Sequence, residues 1–298
     1  MNRLPTARKK SNGNLLFYAL LIGPPFLVLF LLTAGPLAIS LGIGFYDWNL
    51  AKPNNTSFIG LDNFVNMVQD AKFWKAIWLT VYQVGVTVIG QIVIGMGIAL
   101  LLFREFAGIK LLRSIYMIPM MATPIVVGLV WRMLYSTDSG VFNYWLGKVG
   151  IPPINWLGSP HWAMPSVIMT DWWMSTPFVA IIILAGLQGL SNEPIEAAYM
   201  DGASKWQTFI HVILPLMKPI LLLAILFRTM DAIRRFDTIY VMTSGGPGNA
   251  TETLNLHAYF HAFNYLNVGY SSALSTVMLI GIFACSLFIL RKIQKVDI

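Results

Sequence analysis

Ser191-Asn192-Glu193-Pro194-Ile195-Glu196-Ala197-Ala198-Tyr199-Met200-Asp201-Gly202-Ala203-Ser204-Lys205-Trp206-Gln207-Thr208-Phe209-Ile210-His211-Val212-Ile213-Leu214-Pro215 is a polar island between two apolar runs. Its residues spell two short helices with a break. Ser191 or Asn192 is placed to cap the first helix, and Pro194 suits a first turn. Glu193 and Glu196 favour the positive N-terminal end. Gly202 tolerates the left-handed conformation that ends a helix, and Ser204 is placed to start the next. Trp206, Phe209, Ile210 and Ile213 then recur at three- and four-residue spacing as an apolar stripe. Pro215 closes the segment before the next apolar run. Two readings fit such a stripe: a helix lying at the lipid interface, or a helix filling a groove on a partner. The polar face is not rich in Lys or Arg, which favours the partner.

The runs around this island decide the class. The chain has 298 residues, 56% of them hydrophobic and only 11% charged, against roughly 25% charged in ordinary soluble domains. Mean hydropathy is +0.66. A soluble globule of this composition would expose apolar surface it could not hide. The composition excludes a soluble enzyme, a disordered chain and a nucleic-acid binder. Cys285 is the only cysteine, so neither an intrachain disulfide nor a cysteine metal site forms.

A bilayer core needs roughly 20 helical residues. Six runs qualify: Leu15 to Ile43, Ala76 to Phe103, Ser114 to Trp131, about Ala163 to Leu190, about Leu216 to Tyr240, and about Tyr270 to Leu290. The first is read as an anchor rather than a cleaved signal, because its apolar stretch exceeds a signal core and five further crossings follow. The fold expected is an all-α integral membrane protein of six transmembrane helices. A tail at 1–14 precedes one permease domain at 15–290, containing the loop 191–215, and a tail at 291–298 follows. With the N-terminus inside, the cytoplasmic segments hold twelve Lys and Arg and the external loops four (Lys52, Lys72, Lys75 and Lys148). The formal charge of +7 then reflects basic cytoplasmic loops, and both termini are expected in the cytoplasm.

Catalytic patterns are missing. There is no phosphate-binding G-x-x-x-x-G-K-[ST], no H-E-x-x-H and no G-x-S-x-G. His257 and His261 stand four apart without a third ligand and are read as polar lining of an external loop, with no metal.

Glu196-Ala197-Ala198, three residues, Gly202, then Val212-Ile213-Leu214-Pro215 resembles the E-A-A-x3-G-x9-I-x-L-P signature of binding-protein-dependent ABC importer permeases, with Val212 in place of its first Ile. Phe58-Ile59-Gly60-Leu61-Asp62-Asn63-Phe64 and Phe236-Asp237-Thr238-Ile239-Tyr240, with Thr243 and Gly245-Gly246-Pro247, resemble stretches of the maltose-type, carbohydrate-uptake branch. This resemblance implies a type I ABC importer permease fold in a bacterial cytoplasmic membrane. It implies no enzymatic activity and no cofactor on this chain, with ATP and Mg held by partner subunits. The implied partners are a second homologous permease, two ATP-binding cassette subunits, an extracytoplasmic solute-binding protein, a carbohydrate substrate and membrane lipid, but no nucleic acid. Glu196, Ala197, Ala198, Asp201, Gly202, Leu214 and Pro215 would couple to the ATPase. A stand-alone secondary transporter or channel is the rival.

Charge inside a span faces water or a partner. Arg228 and Asp231 are three apart, and Asp231 and Arg235 four apart, so each pair shares a helical face. They form either a structural ion-pair ladder or substrate contacts. Asp171 beside Trp172 and Trp173 suits a polyol, giving an acceptor for hydroxyls and flat faces for ring C–H groups. Gln83 and Gln91, eight apart, line the path or bond to a neighbouring helix. The candidate substrate set is Asp171, Trp172, Trp173, Arg228, Asp231 and Gln83. Gly95 and Ala99 form a small-xxx-small pair suited to close helix packing.

Overall fold

The computed structural model describes residues 12–295. The basic residues Arg3, Arg8, Lys9 and Lys10 that weigh in the expected topology lie outside them. In chain order, α1 (Asn12–Ile43) leads into a two-residue hairpin of β1 (Tyr46–Asp47) and β2 (Ser57–Phe58), then α2 (Asp62–Gln69) and α3 (Ala71–Phe103). Next come α4 (Ile109–Met121), α5 (Pro124–Leu134), α6 (Val141–Lys148) and α7 (Ala163–Gln188). The polar island holds α8 (Glu193–Met200), α9 (Lys205–Thr208), a π-helical turn (Phe209–Ile213) and α10 (Leu214–Leu216). The chain ends with α11 (Lys218–Ile233), α12 (Asp237–Thr243), α13 (Leu254–Tyr259), a π-turn (Phe260–Asn264) and α14 (Val268–Gln294). Helix thus continues past both expected tail boundaries, starting at Asn12 and running to Gln294.

Among the described residues, Leu20–Ile43, Ala71–Phe103, Ala163–Gln188 and Val268–Gln294 are single helices long and apolar enough to cross a membrane. The third and fifth expected spans are broken instead. Ile109–Met121 and Pro124–Leu134 meet at 94°, and Lys205–Leu216 and Lys218–Ile233 at 65°, which brings the total to six if each bent pair is one span. Prolines explain the breaks. Pro124 cannot donate a backbone hydrogen bond and pushes Thr123 into extended backbone, φ −69° and ψ 137°. Pro219 stands at the start of α11 after Met217, so the second bend falls after Pro215 rather than at it. The fifth run also stops at Ile233, and Arg234–Phe236 separate α11 from α12.

Helix α3 presents one seam. Ala76, Thr80, Gln83, Thr87, Gln91, Gly95, Ala99 and Leu102 are all buried and recur every three or four residues. Small residues on this seam let α7 approach closely. A methyl group at Gly95 would stand 3.0 Å from Val179 and 3.3 Å from the Ala180 backbone. Core residues Met96, Ala99, Leu102, Val179, Ile183, Leu187 and Met217 close the end of the bundle near the polar island. At the opposite end Tyr135, Trp156, Val167, Ile239, Met242 and Leu256 pack together, joining the connections 136–162 and 244–267. The connection after α1 meets the same region, where Leu50 N–H donates to Leu266 O at 2.8 Å, and Lys75 Nζ in the first turns of α3 donates to Gly248 O at 3.0 Å. The three connections richest in Gly, Pro and aromatic residues therefore form one cap.

Candidate functional site: a buried charge network and a protruding segment

Asp171 lies in the ninth position of α7, about 12 Å inside from its first residue at 1.5 Å per residue. Its Oδ2 accepts from Arg228 Nη2 at 3.0 Å, and its Oδ1 lies 3.1 Å from Arg235 Nη2. Asp231, three residues after Arg228 on α11 and four before Arg235 just past the end of that helix, bonds Arg228 Nη1 and takes Arg235 Nη2 at 2.7 Å. The Arg228 Nε donates to Gln91 Oε1 at 2.7 Å, and Gln91 Nε2 donates to the Asp171 carbonyl at 3.0 Å. Ser175 Oγ donates to Asp171 Oδ1 at 2.9 Å. Two cations and two anions, tied to an amide and a hydroxyl, join α3, α7 and α11 inside the bundle. Opposite charges and hydrogen bonds offset a desolvation cost that none of the four ions could bear alone.

The network is closed on one side and open on the other. The side chains of Asp171 and Arg228 are 2% and 3% exposed, but that of Asp231 is 49% exposed. Asp231 opens on a cavity of about 380 Å³, whose polar wall also carries Ser175, Arg234 and Arg235. Met120, Met174, Phe178 and Phe227 form the apolar wall. Arg234 donates from Nε to Met230 O at 3.1 Å and makes no ion pair among the described residues. A carboxylate acceptor, guanidinium donors and aromatic faces together suit a polyhydroxylated ring.

Of the six candidate substrate residues, the structure brings together Asp171, Arg228 and Asp231. The other three stand elsewhere. The Trp172 indole donates to Thr87 O on α3 at 3.1 Å and lies over Gly90, where an added methyl would come within 2.3 Å of the ring. Trp172 is thus a packing element between α3 and α7. Trp173 is half-exposed and its ring centre is 5.6 Å from that of Trp131 on α5. Gln83 is buried, and its Nε2 has no partner among the described residues. Gln91, two turns further along the same seam, is the glutamine that reaches the charges. Arg235 and Ser175 complete the set. Arg235 was visible as the i+4 partner of Asp231, and Ser175 stands in the same i+4 relation to Asp171.

At the end beyond Gln188 the chain protrudes. Glu193 N–H donates to Ser191 Oγ at 3.3 Å, and Asn192 occupies the N-cap of α8 without a side-chain cap. Glu196, Ala197 and Ala198 sit on α8, with Asp201 as its C-cap. Gly202 has φ +80°, its N–H returns to Tyr199 O at 3.1 Å, and Ala203 N–H returns to Ala198 O at 3.0 Å. These two bonds form the Schellman closure that a glycine permits. Ser204 and Gln207 then make a reciprocal capping box that starts α9. Leu214 and Pro215 fall in α10, at the root of the segment. Met200 is 88% and Trp206 68% exposed, leaving large apolar side chains at the tip with no cover from this chain.

Residues 91–295 match the family model of the binding-protein-dependent transport system inner membrane component. The chain is 40% identical over 212 residues to the trehalose/maltose transport system permease protein MalF of Thermococcus litoralis, covering 71% of this chain and 70% of that one. It is 35% identical over 285 residues to the sulfoquinovosyl glycerol transport system permease protein SmoG of Agrobacterium fabrum, covering 96% and 92%. The fold matches a chain in the crystal structure of a bacterial ABC transporter involved in import of the acidic polysaccharide alginate, with TM-score 0.81, 21% identity, and 95% and 96% of the two chains covered. The family match and the apolar helices make this a multi-pass protein of the cytoplasmic membrane. Helix pattern, protruding segment and sequence relatives agree: the chain belongs to the family of binding-protein-dependent transport system inner membrane components, the permease subunits of ABC importers.

Proposed function

We propose that this chain is one of two membrane subunits of an ATP-driven importer that passes a sugar or related polyol delivered by a solute-binding protein. The observation that carries the substrate reading is the cavity of about 380 Å³ where half-exposed Asp231 and Arg234 face Phe178 and Phe227. Relatives named for trehalose/maltose and for sulfoquinovosyl glycerol transport support the same class. Asp231 accepts sugar hydroxyls, Arg234 donates to them, and the phenyl rings cover the C–H face. Asp171, Arg228, Gln91 and Arg235 hold Asp231 in place.

ATP and Mg belong to two cassette subunits. The segment from Glu193 to Leu216 lies on the cytoplasmic side, as do both termini, and docks on one cassette through its exposed tip. Glu196 to Gly202 with Leu214 and Pro215 form the lever. When the cassettes close, the lever tilts α11 and moves the cavity from one membrane face to the other. Shifting such a balance from 1:99 to 99:1 takes about 5.5 kcal/mol of differential binding. That load requires a stiff lever, which the Schellman closure and capping box supply.

The test is uptake into proteoliposomes holding the complete transporter. ATP inside the compartment facing the cassettes should drive accumulation of sugar presented with its binding protein, and Asp231→Asn should lower it at least tenfold. Transport by this chain alone, driven by an ion gradient, would establish the rival stand-alone carrier.

A further inference from the structure

The described residues contain a second polar cavity, of about 870 Å³, at the end of the bundle that carries the protruding segment. Its walls come from three places: Phe103 at the end of α3, Lys110 and Arg113 on α4, and Gln188 and Asn192 flanking the start of α8. None of these side chains belongs to the charge network. Arg113 is anchored, because its Nη2 donates to Leu102 O at 2.6 Å across the turn after α3. Its Nε–H, however, is buried with no acceptor among the described residues. Arg113 nevertheless lines the cavity, so its guanidinium charge calls for an anionic acceptor there. Lys110 adds an exposed ammonium and the two carboxamides add neutral donors, while Glu105 is the one acid in the wall. The lining carries one net positive charge.

The level of the cavity identifies the acceptor's carrier. Phe103 and Gln188 are the last residues of α3 and α7, two helices that cross the membrane. The cavity therefore lies where spans leave the hydrocarbon, at headgroup depth, with exposed Phe103 and Phe106 available to acyl chains. Basic pockets between spans at that level bind anionic lipid headgroups.

We propose that this cavity binds the phosphate of an anionic phospholipid, with the Arg113 guanidinium and Lys110 as its cations. A phosphodiester of single negative charge balances the lining, whereas a choline headgroup brings a cation beside Lys110. Asn192 is the N-cap of α8, so the bound headgroup ties α4 to the foot of the protruding segment. This site stands apart from the substrate cavity and does not depend on what is transported.

The test uses the chain purified with its accompanying subunits in nanodiscs of phosphatidylcholine alone or of an equal mixture with phosphatidylglycerol, followed by native mass spectrometry. Wild type should keep phosphatidylglycerol in preference to phosphatidylcholine. Lys110→Ala should weaken that retention about fivefold and Lys110→Glu more strongly, since each cation counts at an anionic surface. Lys110 is exposed, so these variants are expected to fold. Arg113→Lys, which keeps the charge but loses the oriented N–H, should fall between. Added inorganic phosphate should leave the lipid in place. Equal retention of both lipids, or unchanged retention in Lys110→Glu, would overturn the proposal. Displacement of the lipid by inorganic phosphate would overturn it as a lipid site and leave a free-anion site.

Discussion

Asp171 and Arg228 are 57 residues apart in sequence, sit on different helices, and meet at 3.0 Å in a place that water does not reach. Each offsets part of the other's burial, alongside Asp231 and Arg235, so removing one leaves the buried network with one unbalanced charge, at a cost of about 3–5 kcal/mol. Asp171→Asn and Arg228→Met should each lower the thermal midpoint of the detergent-solubilised protein. The double variant removes one charge of each sign and leaves Arg235 paired with Asp231 at 2.7 Å. It should be more stable than the sum of the singles by about 1–3 kcal/mol. Strict additivity in that cycle would show that the two ions act independently.

Gly90 and Trp172 are a second coupled pair. A methyl at Gly90 would come within 2.3 Å of the indole. Gly90→Ala should therefore push the ring aside, break its bond to Thr87 O and destabilise the protein by about 1–3 kcal/mol. Trp172→Leu vacates the space, so Gly90→Ala added to it should be nearly silent. Thermal unfolding of the three variants checks this, and a full penalty in both backgrounds would remove Trp172 as the cause.

Much of this was legible before any coordinates. The break at Gly202 and the restart at Ser204 depend on local chemistry, and local chemistry is what a sequence displays; the expected stripe is split instead, with Phe209 and Ile213 packed on the bundle through a π-helical turn and Trp206 left exposed. The three- and four-residue spacing of Arg228, Asp231 and Arg235 was readable for the same reason, although α11 ends at Ile233 and Arg235 stands just beyond it. Two things were not. Choosing Gln91 over Gln83 needs the rotation of α3 against α7, because both glutamines lie on the same seam. Trp172 beside Asp171 looked like a sugar platform, yet the helix turns neighbouring side chains by about 100° and sends the indole to α3. The bend between Met121 and Pro124 was missed because an apolar count over Ser114 to Trp131 sees length and not backbone direction.

Gly202 adopts φ +80° with no heavy atom within 4 Å of where a Cβ would stand. Substitution there meets backbone strain alone. Gly202→Ala should cost about 1–2 kcal/mol, spent on loosening the lever. Gly202→Asn should cost less, since Asn tolerates the left-handed region. Hydrogen exchange across residues 193–216 should speed up in the order wild type, Asn, Ala, with ATP-driven uptake falling in the same order. Uniform exchange in all three would separate this glycine from the stiffness of the segment.

In the cap, burial pushes the His261 imidazole down to about 4 from 6.5, with His257 adding to the fall. The two rings are 4.7 Å apart, and His257 Nδ1 lies 2.6 Å from Glu252 Oε1, a carboxylate that the sequence spacing did not reveal. Between pH 6.5 and 4 the unfolded chain binds a proton at this position that the folded chain refuses. Stability from this group is therefore complete above pH 6.5 and is lost as pH falls through that window. His261→Phe should flatten that part of the stability profile measured by thermal unfolding against pH. A variant profile parallel to wild type would assign the slope to other groups.

The lever is tested most directly by attaching a photoreactive probe at Met200→Cys in a Cys285→Ser background, which leaves one thiol at the exposed tip of α8. In the assembled transporter the expected product is a cross-link to an ATP-hydrolysing subunit, with a yield that changes on adding ATP and Mg. Cross-links to phospholipid alone, unchanged by nucleotide, would contradict the coupling role.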